Sequence, residues 1–386
     1  MTRPLTIMVS GMVAAVPGQG GATWAVLQYL LGFARLGHEV VFVEPLDANR
    51  LTPEGVWLGE SVNATYCRRV MEEHGLDESW ALLLNGTRET AGLPYGELVR
   101  IGREAAVLVN ISGTLADQDL TSRIPVRIYL DVDPAFTQLW QAVQDVDMHL
   151  DGHTHFVTVG LNIGSPDCPV PTCGRDWIRT VPPVVLDQWP VAEGIVHNGL
   201  TTVANWRGYG SIEHDGVLYG QKAHSLRRFM ALPTLTRERF LPALAIHHDE
   251  HADLTALRTN GWQLLDPQRV AGSPSGYRSF VQGSKAEFGI AKSGYVASRC
   301  GWISDRSACY LASGRPVLAQ DTGFSRHLPA GLGLLAFASL EDVLAGLELI
   351  NRDYGTHAAA ARELAEEHFD ARRVLTRVLD EVGAGT

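Results

Sequence analysis

Short runs of β-branched and apolar residues alternate with longer amphipathic stretches along the N-terminal part of this chain. The runs that predict strands are 5–10, 38–43, 106–111, 126–130 and 156–159. The stretch 22–36 has apolar residues at helical spacing and is followed by Gly37, a residue that often ends helices. Strands that are separated by helices favour a parallel sheet covered by helices on both faces. Ligands of such sheets bind where the carboxyl ends of the strands meet, so we expect a cleft at that edge.

A proline-containing segment interrupts the alternation, and a second alternating series follows it. The later predicted strands are 201–204, 244–246, 316–319 and 334–337, and the later predicted helices are 222–230, 254–259, 340–354 and 358–382. At 386 residues, the chain is long enough for two domains of ordinary size. We therefore predict an α/β protein with two Rossmann-like, doubly wound domains that face each other across a cleft. The predicted boundaries are 1–185 for the first domain, 186–198 for a linker, 199–355 for the second domain and 356–386 for a C-terminal helical segment.

The segment 280–323 carries the most specific local pattern of the sequence. It reads as a loop, a tight turn, the start of a helix and a short buried strand. Ser304 is of the type that caps free N–H groups at the start of a helix, and Gly314 is of the type that ends one. The N-terminus of a helix beside a glycine turn attracts phosphate, because its free N–H groups and its dipole point to the same place. The pattern therefore predicts a phosphate site between Gly301 and Asp305.

The same segment resembles the nucleotide-sugar segment of the GT-B fold glycosyltransferases. The matching residues are CGWIS at 300–304 and SGRPV at 313–317, which flank the predicted helix. The pattern of that family reads roughly His-Cys-Gly-Trp-Asn-Ser-Thr, with a Glu on the helix and Gly-Val-Pro after it. Three positions of this chain differ: Arg299 replaces the phosphate-contacting His, Ile303 replaces the Asn, and Cys309 lies near the place of the ribose-binding Glu.

This resemblance implies a bacterial-type glycosyltransferase that moves a hexosyl or pentosyl group from a nucleoside-diphosphate sugar to a small-molecule or glycan acceptor. The five scattered cysteines and the lack of a membrane-spanning run predict, separately, a cytoplasmic protein. It implies that the first domain binds the acceptor and that the second binds the donor. It also implies that the C-terminal helix returns to pack on the first domain. The donor is a co-substrate, and the resemblance implies neither a cofactor nor a metal ion.

The resemblance also implies where the donor binds. The positions implied to hold its diphosphate are Arg299, Gly301, Ser304, Asp305, Arg207 and Lys222. A departing nucleoside diphosphate carries negative charge, which cationic side chains must balance when no metal ion does. Arg207 and Lys222 follow the first strand of the second domain and are read either in that role or as ordinary surface cations. Asp321, Thr322 and Gly323 follow a predicted strand and are the expected contacts of the sugar.

Two polar side chains near the predicted cleft are candidate catalytic residues. Asp133 follows the strand 126–130 and is read as a base, as a contact of an acceptor hydroxyl, or as a cap of the next helix. His153 is read as an acceptor contact or as a base. A zinc site that joins His153 to Cys168 and Cys173 is less favoured, because the spacing matches no known structural zinc pattern.

Other charged residues are assigned no role in a site. Asp131 and the Asp two positions later match the Asp-x-Asp metal motif of the GT-A glycosyltransferases, but that fold lacks the second domain predicted here. The cluster 247–251 reads as an exposed loop after a strand, because neighbouring side chains point apart. Lys285, Glu287 and Lys292 are more typical of solvated charges than of a functional site.

The loop 18–23 contains three glycines and opens the first predicted helix. One reading is a dinucleotide fingerprint, but the third glycine position holds Thr23, and the loop is long for the tight turn of that motif. A second reading is the flexible loop of a GT-B first domain, in which Gly20 and Gly21 approach the donor phosphate or the acceptor. The third is a loop that uses glycine only for its backbone shape.

Composition limits the remaining possibilities. Hydrophobic residues make up 45% and charged residues 19% of the chain, and the net charge of −11 disfavours a broad nucleic-acid or anionic-membrane surface. No apolar run approaches membrane-spanning length, and the five cysteines are typical of reduced thiols. The alternatives left open are a nucleotide-sugar epimerase on the same fold, a nicotinamide-dependent oxidoreductase and a non-catalytic sugar or nucleotide binder.

Overall fold

The computed structural model describes residues 4–385, in which two separate parallel sheets account for the two alternating series. The strands of the first sheet are β1 (Thr6–Ser10), β2 (Glu39–Leu46), β3 (Trp80–Leu84), β4 (Thr90–Gly92), β5 (Val107–Ile111), β6 (Val126–Asp131), β7 (His155–Thr158) and β8 (Trp177–Arg179). Their order is β4-β3-β2-β1-β5-β6-β7-β8, and neighbours are parallel except β3 with β4. The accompanying helices are α1 (Gly20–Arg35), α2 (Val62–Glu73), α3 (Tyr95–Glu104), α4 (Gln118–Thr121) and α5 (Phe136–Val143).

The second sheet begins with a strand that is followed in the chain by a small separate hairpin. Its strands, with the hairpin pair β10 and β11, are β9 (His197–Asn205), β10 (Ile212–His214), β11 (Val217–Tyr219), β12 (Phe240–Ala245), β13 (Ser284–Gly289), β14 (Val317–Gln320) and β15 (Leu334–Phe337). The sheet order is β12-β9-β13-β14-β15, and all of these pairs are parallel. The helices are α6 (Lys222–Leu226), α7 (Leu232–Leu235), α8 (His251–Thr259), α9 (Pro267–Ala271), α10 (Pro274–Gly283), α11 (Ser293–Ser298), α12 (Asp305–Ala312), α13 (Leu340–Arg352), α14 (Tyr354–Leu364) and α15 (Ala371–Glu381). Across residues 4–385, none of the helices combines the length and the apolar character that crossing a membrane requires.

The predicted fold class is confirmed, with two doubly wound α/β halves. We call the first sheet with α1–α5 the first half, and the second sheet with α6–α14 the second half. One segment was predicted wrongly: 284–289 reads as a loop in the sequence, but it forms β13, the central strand of the second sheet. Its charged residues Lys285 and Glu287 break the apolar run that buried strands of parallel sheets usually show.

The last helix returns to the first half, as the resemblance implied. The stripe from Val374 to Leu379 on α15 is buried and packs against α1. Its apolar residues recur with helical spacing, so one face of α15 is covered while the other remains in solvent. Leu375 lies over Gly32 of α1, where a Cβ would come within 2.4 Å of the Cδ1 atom of Leu375. The small residue therefore permits the close approach of the two helices.

Gly20 permits the close contact between α1 and the second half. A Cβ at this position would lie 2.2 Å from the carbonyl oxygen of Ser273 and 2.7 Å from that of Ala271, so the backbone would have to move. We expect Gly20→Ala to destabilise the protein by about 1–3 kcal/mol, the usual cost of overpacking. Gly96→Ala in α3 is the matched control, since Gly96 has open space around its missing Cβ. That control is expected to stabilise the helix by about 0.5–1 kcal/mol. Thermal unfolding measures both variants, and equal melting temperatures of Gly20→Ala and the wild type would contradict the close packing.

Candidate functional site

The carboxyl ends of strands from both sheets meet around one group of polar side chains. Asp133 follows β6, Tyr209 follows β9, and Lys292 follows β13. The Asp133 carboxylate accepts hydrogen bonds from the hydroxyls of Tyr209 and Tyr295, each at 2.5 Å, and pairs with the Lys292 ammonium at 2.7 Å. The Lys292 ammonium also contacts the Tyr209 hydroxyl. We call these four residues the Asp133 cluster, and they connect the two halves at the edge where parallel α/β sheets bind ligands.

The Asp133 cluster is largely withdrawn from solvent. The side chain of Lys292 is 14% exposed and that of Asp133 is 22% exposed. The prediction that Lys292 is a solvated charge is therefore wrong. Burial and the neighbouring Asp133 carboxylate raise the pKa values of Tyr209 and Tyr295, so that both hydroxyls stay protonated and donate their hydrogen bonds.

Asp131 fixes the backbone that carries Asp133. One oxygen of the Asp131 carboxylate accepts from the Thr137 hydroxyl at 2.8 Å and from the backbone N–H of Asp133 at 3.0 Å. The other accepts from the Gln138 amide at 2.8 Å and from the Thr158 hydroxyl at 2.7 Å. Asp131 is fully buried, and this burial raises its pKa. Because protein donors fill both oxygens, Asp131 shapes the loop, and the Asp-x-Asp pair is not arranged to hold a metal ion.

Lys222 begins α6 beside the Asp133 cluster. The backbone N–H groups of the two residues after Lys292 donate to the two carbonyls just before Lys222, at 3.4 and 2.9 Å. These bonds hold the two lysine segments side by side. Burial, and then the nearby cations of Arg306 and Lys292, lower the pKa of Lys222 to about 7. Within residues 4–385, no carboxylate forms an ion pair with Lys222, so the site holds a basic side chain that is partly neutral near pH 7.

Arg306, in the first turn of α12, forms a buried ion pair with Glu287 of β13. The guanidinium and carboxylate are 2.5 Å apart, and their side chains are 8% and 0% exposed. Arg306 also donates to the carbonyl of Val203 at 2.9 Å, which ties α12 to β9. The prediction that Glu287 is solvated is wrong, since its side chain is buried and paired with Arg306. The sequence did not show this because the two residues are far apart along the chain. The pair anchors the helix start that was predicted to bind phosphate.

The turn before α12 is held by a loop of the first half. Ser304 caps the helix as predicted, since its hydroxyl oxygen accepts from the backbone N–H of Arg306 at 3.2 Å. Gly301 has φ +80, and a Cβ there would lie 2.9 Å from the backbone nitrogen of Asn162. The Asn162 amide in turn donates to the carbonyl of Arg299 at 2.7 Å, while the Arg299 side chain is exposed. The predicted phosphate turn thus receives its shape from both halves, and Asp305 follows it as the first helical residue.

The residues predicted to contact the sugar shape the loop after β14. The Asp321 carboxylate accepts from the backbone N–H of Gly323 at 2.9 Å and from the Ser325 hydroxyl at 2.8 Å. The Thr322 hydroxyl donates to the carbonyl of Trp302, next to the phosphate turn. Gly323 has φ +94, a conformation that favours glycine. These contacts connect the loop to the turn before α12.

The remaining predicted site residues are not part of the Asp133 cluster. Gly20 and Gly21 pack against α10, where a Cβ on Gly21 would lie 2.9 Å from the ring of Tyr277. His153 contacts the amide of Asn110 at 3.0 Å and packs edge-on against Tyr129, both in the first sheet. Burial lowers the pKa of His153. Arg207 lies near the cluster in the loop after β9, but Glu250 pairs with its guanidinium at 2.5 Å.

The glycine-containing loop after β1 already binds an acidic side chain of the protein itself. The buried Glu44 carboxylate accepts hydrogen bonds from the backbone N–H groups of Val13, Ala14 and Ala15 at 2.9, 2.7 and 2.7 Å. Burial raises the pKa of Glu44 to about 7, and the three backbone hydrogen bonds oppose that rise. Because these N–H groups are used, this part of the loop does not offer them to a phosphate.

Two groups with metal-ligand chemistry were considered in the sequence. His247, His248 and Asp249 bring their ligand atoms within 4.8 Å of one another, but all three side chains are exposed, as expected for a solvated loop. Cys168 and Cys173 make separate contacts, to the carbonyls of Ser298 at 3.7 Å and Gln138 at 3.4 Å. In the part of the chain that the structure describes, neither thiol belongs to a group of metal ligands.

Sequence reasoning missed the roles of Tyr295, Lys292 and Glu287 in this arrangement. A usable signal existed for Lys292: once 284–289 is recognised as a strand, Lys292 falls just beyond its carboxyl end, where ligand-binding residues are expected. No comparable local signal marks Tyr295, which reaches the site from the middle of a short helix.

Comparisons with known proteins agree with this architecture. No protein-family model matches the sequence, and no curated protein matches it. Solved structures match over nearly the whole chain. An alpha-glucosyltransferase in complex with UDP-glucose and DNA containing an abasic site has a TM-score of 0.61 and 11% identity, and the match covers 99% of this chain and 100% of the other. HepE from Anabaena in complex with UDP-glucose has a TM-score of 0.57 and 12% identity, with 98% and 100% covered.

A glycosyltransferase from Rickettsia africae is similar as well, with a TM-score of 0.53, 11% identity, and 99% and 100% of the two chains covered. Identities at this level carry information about the fold and not about the reaction. The order of strands, the returning C-terminal helix and these full-length matches lead to one conclusion: the chain has the fold of the GT-B glycosyltransferases.

Proposed function

We propose that this protein transfers a glycosyl group from a nucleoside-diphosphate sugar to an acceptor, without a metal ion. The observation that carries the proposal is the Lys222 side chain, which forms no ion pair within residues 4–385 although the Arg306 and Lys292 cations near it lower its pKa. Gathering cations costs free energy in a protein unless an anion comes to neutralise them. The capped start of α12 lies in the same region and adds free N–H groups and a favourable dipole.

The chemistry of glycosyl transfer accounts for this arrangement. The bond between the anomeric carbon and the diphosphate oxygen breaks, and a bond from the acceptor oxygen to that carbon forms. The acceptor hydroxyl gives up its proton to solvent, and the nucleoside diphosphate leaves with additional negative charge. Lys222 and Lys292, whose segments lie side by side at the carboxyl edge of the second sheet, would stabilise that charge as it develops. Arg306 is already paired with Glu287, so it contributes mainly by fixing the helix start.

The similar solved structures suggest the first nucleotides and acceptors to test. Similar structures are described with UDP or UDP-glucose, so uridine nucleotides are the first candidates for the donor. One neighbour is described with DNA, but the net charge of −11 of this chain opposes a long polyanionic acceptor. We therefore propose a small-molecule or glycan acceptor.

The proposal is tested by binding and by turnover. Thermal unfolding with UDP, dTDP, GDP, ADP and NAD should show stabilisation by a nucleoside diphosphate, by about 2.7 kcal/mol at a hundredfold excess over its Kd. Incubation of the corresponding nucleotide sugar with candidate acceptors should release free nucleotide only when an acceptor is present, and excess EDTA should not slow it. A response to NAD alone contradicts the proposal. Isomerised sugar without an acceptor indicates an epimerase, and binding with no turnover across the acceptor panel indicates a binding protein.

A further inference from the structure

We propose that Asp133 is a positioning residue of this site rather than its base: it reaches across the cleft and holds Lys292 beside Lys222. This inference rests on the proposed function. Asp133 belongs to the loop after β6 in the first half, while Tyr209, Lys292 and Tyr295 all belong to the second half. A carboxylate that binds three groups of the opposite half is suited to fixing their positions.

The oxygens of Asp133 are already engaged. One accepts from the Tyr295 hydroxyl, and the other accepts from Tyr209 and from the Lys292 ammonium. A general base must have an oxygen within reach of the acceptor proton, and here protein donors occupy both oxygens. The same contacts explain why a carboxylate is needed, since only an anion balances the Lys292 charge at this depth.

The backbone around Asp133 is built to hold it in place. Its N–H group is bound to the buried Asp131 carboxylate at 3.0 Å. Two residues later, Ala135 has φ +74, an unfavourable conformation for a residue with a Cβ. The Gln138 side chain stabilises that conformation by accepting from the Ala135 N–H at 2.7 Å. Strain of this kind persists only where surrounding contacts specify the shape of the loop.

Aromatic rings from both halves surround the Lys292 ammonium. It lies 4.2 Å from the ring centre of Tyr209, 5.0 Å from that of Tyr295 and 4.9 Å from that of Phe136. Phe136 belongs to α5 in the first half, so both halves contribute rings to this cage. Rings at these distances attract a cation and limit its access to water, which strengthens the pair with Asp133.

The position of Lys292 matters for the donor because its segment is bonded to the start of α6. The two residues after Lys292 donate backbone hydrogen bonds to the residues just before Lys222. The Gln221 side chain continues this connection by accepting from the Gly208 N–H at 3.3 Å and donating to the Gly210 carbonyl at 3.2 Å. Asp133 therefore orders both the loop after β9 and the lysine pair before the donor arrives, which lowers the cost of binding.

A double-mutant cycle on UDP binding tests the inference. We expect Asp133→Asn and Lys292→Met each to weaken UDP binding at least tenfold, because each releases the bonded segments that hold Lys222 and Lys292 side by side before UDP binds. The double variant should bind UDP about as weakly as Lys292→Met alone, because Asp133 acts on the site through Lys292. Asp167→Asn is the matched control: Asp167 pairs across the halves with Arg326 at 3.1 Å, but this pair is solvent-exposed, and UDP binding should not change.

Hydrogen exchange of the ligand-free protein separates this inference from the proposed function. Asp133→Asn should accelerate exchange in 206–211 and 292–296, and Asp167→Asn should not. If the wild-type protein binds no nucleoside diphosphate, the proposed function fails, whereas the exchange result still tests the role of Asp133. The inference is overturned if Asp133→Asn binds UDP as tightly as the wild type while losing only turnover, which is the behaviour of a base. Additive effects in the cycle would overturn it as well.

Discussion

If Lys222 binds the diphosphate, UDP binding should weaken as the pH rises above neutrality. A proton should also be taken up when UDP binds near pH 7. In the free protein the pKa of Lys222 is lowered to about 7, so near that pH the amine is part neutral and part charged. A bound diphosphate favours the charged form and raises the pKa again. Binding therefore draws a proton onto Lys222, and the affinity is highest below the pKa of the free protein. Calorimetry in buffers of different ionisation enthalpy measures this uptake.

Variants of Lys222 distinguish proton uptake by this lysine from proton uptake or release by the nucleotide. The terminal phosphate of a nucleotide itself titrates with a pKa of about 6, so the wild type alone is not sufficient. Lys222→Met should weaken UDP binding roughly ten- to hundredfold, the usual worth of a hydrogen bond to a charged group, and should leave only the ligand's own pH dependence. Lys222→Arg stays charged at every accessible pH and should remove the same pH-dependent component.

A second lysine provides the control for this experiment. Lys285 lies at the amino end of β13, away from the carboxyl edge, and pairs with Glu238 at 2.8 Å. Lys285→Met should leave both UDP affinity and proton uptake unchanged. Equal proton uptake by the wild type and Lys222→Met would show that Lys222 does not bind the diphosphate.

Lys222 also predicts how the stability of the ligand-free protein depends on pH. The folded pKa of about 7 is below the value near 10.4 of an unfolded lysine, so the unfolded chain binds more protons between these values. Stability from this group therefore rises with pH across that window and is lowest when Lys222 is charged. Lys222→Met should be at least as stable as the wild type near pH 7, the pattern of a residue retained for binding.

The largest expected effect on stability comes from the buried pair of Glu287 and Arg306. Glu287→Gln keeps the shape of the side chain but leaves the Arg306 guanidinium buried without a counter-charge. The expected loss is about 3–5 kcal/mol, the typical cost of removing one partner of a buried ion pair. Thermal and chemical unfolding of the ligand-free variant measure it, so the test does not depend on the reaction.

Two further variants make this prediction specific. Replacing both partners, with Glu287→Gln and Arg306→Met together, should recover part of the loss because no unpaired charge remains. Asp187→Asn removes the partner of Arg35 in an exposed pair, with side chains 53% and 38% exposed, and should cost less than about 1 kcal/mol. A loss for Glu287→Gln as small as that of Asp187→Asn would mean that solvent reaches the buried pair.

The features that the sequence predicted correctly depend on neighbours in the chain. Ser304 caps α12 and Gly314 follows its end with φ +67, as their residue types indicated. The strand β15 falls at 334–337, where its apolar run predicts it. Each of these depends on chemistry that operates within a few residues, so local patterns contain the information.

The features that escaped prediction depend on partners far away in sequence. Glu287 can occupy a buried strand only because Arg306, on the next long helix, reaches it. The Asp133 cluster joins side chains from opposite halves, and no spacing rule relates the residues of one half to those of the other. Spatial proximity of this kind arises from the packing of the halves, which the local pattern does not encode.

The Glu44 side chain of β2 binds the loop after β1, and this contact makes the two halves differ in how they can bind dissolved anions. Because Glu44 is part of the chain, its side chain cannot dissociate into solution as a bound anion can. The first half therefore supplies its own acidic group to this loop, whereas Lys222 of the second half forms no ion pair within residues 4–385. Under the proposed function, only the second half would then bind the nucleotide phosphates, and the first half would be free to bind the acceptor.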